Sequence, residues 1–529
     1  MPTDCISYQD SGYFTPLMND YLNQKQNLQS LYNRFPSLEN FKEQIAEKEA
    51  NYTDENRVVL ATVLKKQYID TESSALTLSN ITSLTESNTF TITTGHQLNL
   101  FTGPLYFLYK IISVINLTKE LKEAYPDKNF VPIYWMATED HDFEEINYFN
   151  FNGNKVRWDR ESSGPVGRLS TEGLDEVFDK FVSELGIGTH ADELKKMFED
   201  AYLNHDNLAD ATRFLANALF GSYGLVILDA DDKDLKTLFI PYIKEELLHQ
   251  TAHQKVVETG ELLDSYKIQV NPREINLFYI DDNLRERIIR ENSTYIVNNT
   301  EITFTNEELL NELEKHPEKF SPNVIMRPLY QEVILPNLCY IGGGGELAYW
   351  LELKSYFDAS KITFPVLLLR NSVLLATEKQ ANKADKLELS WSDLFMKQFD
   401  LKDKIVKRES GLKLDFSEQK RFLEAQFAKL KEIANETDPS FLGAVNAQEA
   451  KQIKGLNTLE QRLIKAEKHV HEDKLIRVTA LQNELFPNQS LQERTANFSE
   501  FYMGSGSIMI EQLFAVLKPL DQQFEVVVV

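Results

Sequence analysis

Cysteine is almost missing from this chain. Cys5 and Cys339 are the only two in 529 residues, so no disulfide framework holds the fold. No run reaches the roughly 18 apolar residues that a bilayer-spanning helix needs. The N-terminal MPTDCISYQDSGYF has neither a basic start nor an apolar segment, so a secretory leader is not expected. Positive charge is also scarce. Lys and Arg number 56 against 81 Asp and Glu, a net charge of −25, which repels nucleic acid and anionic membrane. Small anionic substrates stay possible, because a few inward-facing Arg and Lys reverse the potential inside a cleft. GxxxxGK[ST] and GxGxxG are absent, which leaves a Walker loop or a dinucleotide site unsupported. These absences describe a soluble cytoplasmic protein with small-molecule partners.

What is present is enough apolar material to fold. The hydrophobic share is 42%, with 32 Phe and 22 Tyr, and the length suggests about three or four domain-sized units. Residues 1–88 read as an N-terminal helical segment, with Leu38, Phe41, Ile45 and Ala46 at helical spacing. TFTITTG (89–95) alternates and is β-branched, as a strand requires. PLYFLYKIISVINLTKELKEAY (104–125) reads as a helix with Pro104 in its first turn. NFVPIYWMATE (129–139) is too apolar for a strand with one wet face and suits a buried parallel strand. Strand-then-helix patterns recur at 223–248, 338–357 and 361–377. Their alternation predicts a parallel α/β core over 89–377. Insertions are expected at about 150–222 and 255–335, with antiparallel strands at 275–305. Over 378–500, Phe416, Leu423, Phe427 and Leu430 form one helical stripe. Leu456, Leu459, Leu463, Ala466 and Val470 form a second, with NETDPSFLG between the arms. Two such arms predict an antiparallel coiled-coil hairpin. Residues 501–529 end in FEVVVV, read as a strand returning to the core sheet.

Three stretches could carry chemistry. TTGHQLNLFTGP runs from a strand through glycines to a helix, a geometry that holds phosphate on free N–H groups. Gly95 and Gly103 would let an anion approach closely, and His96 could donate to a phosphate or steady charge in a transition state. WMATEDHDFEEIN crowds Glu139, Asp140, His141 and Asp142 at the end of an apolar strand, where ligands of parallel sheets bind. Those carboxylates could grip a substrate ammonium, act as bases or hold a divalent ion. IGGGGELAYW places Gly343, Gly344 and Gly345 before Glu346, Tyr349 and Trp350, a backbone able to lie flat against a ligand. Arg327, Arg370 and Arg168 stand nearby in sequence, each a candidate for an anionic partner.

Taken together, TGHQLNLFTGPLYFLYK, WMATEDHDFEEIN, GPVGRLS, RPLYQEVILPNLCYIGGGGELAYWLELK and FPVLLLRNS resemble the bacillithiol-biosynthesis cysteine-adding enzymes. The resemblance implies a Rossmann-like core related to class I aminoacyl-tRNA synthetases, connecting insertions and a C-terminal coiled coil. It implies a ligase that joins L-cysteine to glucosaminyl-malate. Thr93, Thr94, Gly95 and His96 then match the TxGH or HxGH nucleotide signature of that superfamily. Amide formation from a free carboxylate needs activation, so ATP or another nucleotide is the expected cofactor, with the metal requirement open and no metal-ligand residues assigned. On this reading His96, Asp140 and His141 are catalytic, the glycine turn holds phosphates and the acidic strand end holds the cysteine ammonium. Arg168, Arg327 or Arg370 would take the malate carboxylate. A homodimer through the coiled coil is expected. Two other readings are a non-catalytic nucleotide-binding dimeric scaffold and a metal-dependent hydrolase built on Asp140 and His141.

Overall fold

In a computed structural model that describes residues 4–529, the chain forms two compact units. One takes the residues up to 375 together with 492–527, and the other takes 376–491. The first is built on five parallel strands: β1 (Thr89–His96), β2 (Asn129–Met136), β3 (Val226–Asp229), β4 (Asn337–Gly342) and β5 (Val366–Leu369). Their order across the sheet is β3-β2-β1-β4-β5. That is the doubly wound arrangement, and its topological switch point falls between β1 and β4.

β1, β4 and β5 are buried along their whole length, and β2 along all but its first residue, which is why their sequences are apolar runs rather than alternations. Helix α1 (Tyr106–Ala124) connects β1 to β2 and is buried on nearly every side. Val114, Leu117 and Leu121 of α1 share a core with Phe41, Ile45, Phe90, Ile92, Leu338 and Leu368. Phe41 and Ile45 come from the helix Leu38–Asn51, one of four α-helices between residues 16 and 83. Two further helices frame the site described below: α2 (Lys233–His249) follows β3, and α3 (Arg327–Ile334) precedes β4. Helix α4 (Gly344–Leu351) follows β4 directly. Between them a separate antiparallel sheet includes Leu277–Asp281, Leu284–Glu291 and Thr294–Val297.

Two expectations are corrected. The helix after β1 starts at Tyr106, so Pro104 lies before its first turn rather than in it. The cause is the backbone ahead of it. Phe101, Thr102 and Gly103 take φ of 47°, 68° and 63° in succession, a left-handed run that a bulky residue resists. The Asn497 side-chain amide holds the run by donating to the Phe101 (2.8 Å) and Gly103 (2.6 Å) carbonyls. The Leu105 N–H is taken by the Ala496 carbonyl at 2.9 Å. The terminal strand, Gln523–Val528, does not join the parallel sheet. It pairs antiparallel with Asp4–Ser7 in a three-stranded sheet that also holds Ser372–Ala376.

The second unit carries the helical hairpin, Ser417–Asn435 against Pro439–Val470. The second arm begins earlier than its apolar stripe suggested. Asp438 caps it by accepting from the Ser440 N–H at 2.9 Å, and Pro439 occupies the first helical position, a favourable start signal. Phe427, Ala434 and Val445 pack between the arms with Leu423 and Leu442. Lys420–Glu460 (2.8 Å) and Lys431–Glu449 (2.5 Å) bridge them. Among the described residues, no helix is long and apolar enough to cross a membrane.

Candidate functional site

Parallel alignment brings the carboxyl ends of all five strands to one edge of the sheet. His96, Glu139, Asp140, Glu346 and Arg370 therefore gather there from distant parts of the chain. They fall into two groups.

The first group lies at the switch point. Lys110, a lone cation inside the apolar run of α1, donates to the Gly95 carbonyl at 2.7 Å and pairs with Glu346 at 2.6 Å. Glu346 also accepts from the Tyr340 hydroxyl (2.7 Å) and the Gly343 N–H (2.8 Å), so it caps the start of α4. Burial pushes the Glu346 carboxyl up, but Lys110 and these hydrogen bonds outweigh it and hold the pKa below the ordinary value. Gly95 faces the same place, because a Cβ there would stand 3.3 Å from the Tyr340 hydroxyl. A Cβ on Gly344 would press on Met18 at 3.1 Å, whereas one on Gly345 would meet open space. Trp350 is buried behind this group, its ring stacked on Tyr340 at 4.6 Å.

The three candidate arginines have different partners. Arg370 is buried and pairs with Glu493 at 2.7 Å. Arg168 pairs with Asp231 at 2.8 Å and with Asp282 at 3.3 Å. Arg327, at the start of α3, has only neutral partners among the described residues: Gln331 at 3.1 Å and the Tyr349 hydroxyl at 3.4 Å. Its guanidinium stands 5.7 Å from the ring centres of both Trp135 and Tyr340. Burial opposes its charge, yet the neighbouring Tyr349, Tyr340 and Glu346 favour it more and raise the pKa.

The second group lies at the ends of β2 and β3. Lys236 of α2, 1% exposed, bridges Glu139 at 2.6 Å and Asp231 at 2.7 Å. Asp229 accepts from the Thr138 hydroxyl and the Asp231 N–H. Burial raises the carboxyls of Glu139 and Asp229. At Asp231 burial acts the same way, but Lys236 and Arg168 overcome it and lower the pKa. Asp140 accepts from Gln97 at 2.9 Å and from the His141 N–H at 2.8 Å. Despite burial, hydrogen bonds from His141 and Gln97, with the charge of Arg285, hold its carboxyl well below the usual range. His141 Nδ1 lies 2.6 Å from Arg285, which stacks on Phe278 at 4.0 Å. His141, Asp142, Glu144, Arg160 and Ser162 line an open cavity of about 630 Å³. Trp135 and Tyr330, in edge contact at 5.5 Å, connect the two groups. Among the described residues, no cluster of three or more His, Cys, Asp or Glu is arranged to hold a metal ion.

The other motif residues have structural partners. Thr93 donates to Asn337 at 2.9 Å inside the sheet. A Cβ on Gly103 would fall 2.6 Å from that of Asn99, so the turn itself requires glycine. His96 is buried beside Tyr106 and Phe107; burial first, and Lys110 second, hold its pKa down to about 3. Several residues of the site were not singled out from sequence: Lys110, Asp229, Asp231, Lys236, Arg285 and Tyr340. The signal for two of them was available, since Lys110 interrupts an apolar helix and Lys236 follows the acidic DADD turn.

A doubly wound sheet with polar groups gathered at its carboxyl edge, followed by a helical hairpin, defines a Rossmann-like protein with a coiled-coil domain. The comparisons give the family. Residues 1–371 match the model described as "Bacillithiol biosynthesis BshC, N-terminal Rossmann-like domain", and residues 373–529 match "Bacillithiol biosynthesis BshC, C-terminal coiled-coil domain". The chain belongs to the BshC family of bacillithiol biosynthesis and, as a member, is a ligase. A Flavobacterium johnsoniae protein named "Putative cysteine ligase BshC" is 65% identical over 529 residues, covering 100% of both chains. A Flavobacterium psychrophilum protein of the same name is 61% identical, covering 100% of this chain and 99% of its own.

Proposed function

We propose that this ligase joins L-cysteine to glucosaminyl-malate in the last step of bacillithiol assembly, acting in the cytoplasm. The observation that carries the acceptor assignment is Arg327, a partly buried guanidinium at the switch point with no carboxylate of the described chain to neutralise it. A malate carboxylate is the planar anion that a guanidinium binds through two parallel hydrogen bonds. Asp140 and Asp142 are the residues for the cysteine ammonium, because Glu139 is already engaged by Lys236. Arg285 donates to His141 Nδ1, which places the neutral ring's proton on Nε2 and makes His141 a donor toward the substrate rather than a base for the attacking amine.

A nucleotide triphosphate would supply the activation that makes amide formation favourable. The end of β1 at Gly95 and the open backbone at Gly345 suit its phosphates, with Arg327 kept for the acceptor and Lys110 and Arg370 already neutralised by Glu346 and Glu493. In this reading the TTGH motif contributes backbone, since the His96 ring is packed inside. The test is direct. Purified protein incubated with L-cysteine, glucosaminyl-malate and each nucleotide triphosphate in turn should yield bacillithiol with stoichiometric nucleotide consumption. No product with any of them would defeat the proposal.

The coiled coil supports a homodimer. Phe422, Ile433, Phe441 and Leu459 are 65%, 55%, 46% and 54% exposed along the hairpin, an apolar surface that a second copy would cover. Light scattering should give about twice the 61.1 kDa chain mass. The triple variant Phe422→Glu, Ile433→Lys, Leu459→Glu should run as a monomer. A monomeric parent at micromolar concentration would refute the dimer.

A further inference from the structure

Behind the end of β1 lies a small, largely enclosed cavity of about 10 Å³ lined by His96, Gln97, Asn99, Thr102, Tyr134 and Thr212, among others. Thr212 belongs to the helix Leu208–Phe220. Four of these residues are more than nine-tenths buried: His96 is 7% exposed, Asn99 8%, Thr102 3% and Thr212 6%. Each carries a polar atom without a hydrogen-bond partner: His96 Nε2, Asn99 Oδ1, Thr102 Oγ1 and Thr212 Oγ1. A buried polar atom left unpaired is destabilising, and here four of them surround one small space.

The geometry points to a single sequestered water molecule held by His96, Asn99, Thr102 and Thr212. The volume is about that of one water, and a buried water normally makes two to four hydrogen bonds. The donors and acceptors balance. His96 Nε2 is without a partner, and in the tautomer protonated on Nδ1 it offers a lone pair to the cavity. The Asn99 amide nitrogen is spent on the Glu145 carbonyl at 3.1 Å, which leaves Oδ1 as an acceptor. The water therefore donates to His96 Nε2 and Asn99 Oδ1, and accepts from the hydroxyls of Thr102 and Thr212. That arrangement completes its tetrahedral shell. It also ties the left-handed Phe101–Gly103 run to the Leu208–Phe220 helix. The side chain of His96 is thereby assigned to holding this water rather than to contact with a ligand.

A crystal structure of the full chain, at a resolution that shows ordered solvent, tests the site. One peak within hydrogen-bonding distance of at least three of the four atoms is expected; no peak there overturns the proposal. Thr212→Val and Thr212→Ser supply a second reading. Around a water, valine removes one of its partners, so Thr212→Val should melt below both the parent and Thr212→Ser. In a dry cavity, valine removes an unpaired hydroxyl, and a melting temperature at or above the parent would overturn the assignment. Thr102→Val and Thr212→Val should also be non-additive, because their hydroxyls meet through one molecule.

Discussion

Arg327→Met should lower kcat/KM for glucosaminyl-malate by between roughly thirtyfold and several-thousandfold, while the protein melts no lower than the parent. The range corresponds to about 2–5 kcal/mol for a partly desolvated charge pair with a ligand. Stability should hold because Arg327 neutralises no carboxylate of the chain. Its partners are the Gln331 amide and the Tyr349 hydroxyl, so methionine strands no buried anion. Arg327→Lys keeps the charge and loses the planar fork, and should recover only part of the activity. The same change at Arg370 behaves differently. Arg370→Met would leave Glu493, 1% exposed, without its cation, and should destabilise the protein before any effect on substrate could be read. A kcat/KM of Arg327→Met within threefold of the parent would remove Arg327 from the acceptor site.

The second large effect is on stability. Lys236→Met should cost about 3–5 kcal/mol, the usual result of removing one partner from a buried ion pair. Lys236 is the shared cation of Glu139 and Asp231, and Asp229 adds a third carboxylate to the cluster. The loss should depend on pH, and its sign follows from Asp231. In the parent, Lys236 and Arg168 lower the Asp231 pKa against burial. Its stabilisation is therefore present above the ordinary carboxylate range and is lost as pH falls through the folded value. Without Lys236 the crowded carboxylates gain a reason to stay protonated, so the penalty should be greatest near neutrality and shrink toward pH 5 or below. Thermal melts of parent and variant across that range would show the two curves converging in acid. A constant difference would mean that Lys236 acts by packing alone.

Much of the fold could be read from the residues because local composition decided it. The apolar runs at 129–136 and 337–342 suit strands buried on both faces. Their alternation with helices dictates a parallel sheet, and a parallel sheet places TTGH, TEDHD and GGGG at one edge. The hairpin was equally visible, because two stripes at helical spacing cannot be buried separately. What the sequence could not give is partner choice. Arg168, Arg327 and Arg370 look alike as residues in a string. Only packing shows that Glu493, from more than a hundred residues downstream, neutralises Arg370, that Asp231 and Asp282 hold Arg168, and that Arg327 meets only neutral partners among the described residues. Glu139 and Asp140 are adjacent in sequence, yet the first is locked to Lys236 and the second is turned to Gln97 and His141. The left-handed turn at 101–103 was hidden for the same reason. Its strain is tolerable only because Asn497, nearly four hundred residues away, supplies the hydrogen bonds that hold it. Hydrophobic periodicity is local and determined the elements. Charge neutralisation and backbone strain depend on groups remote in the chain, so only the tertiary structure decided them.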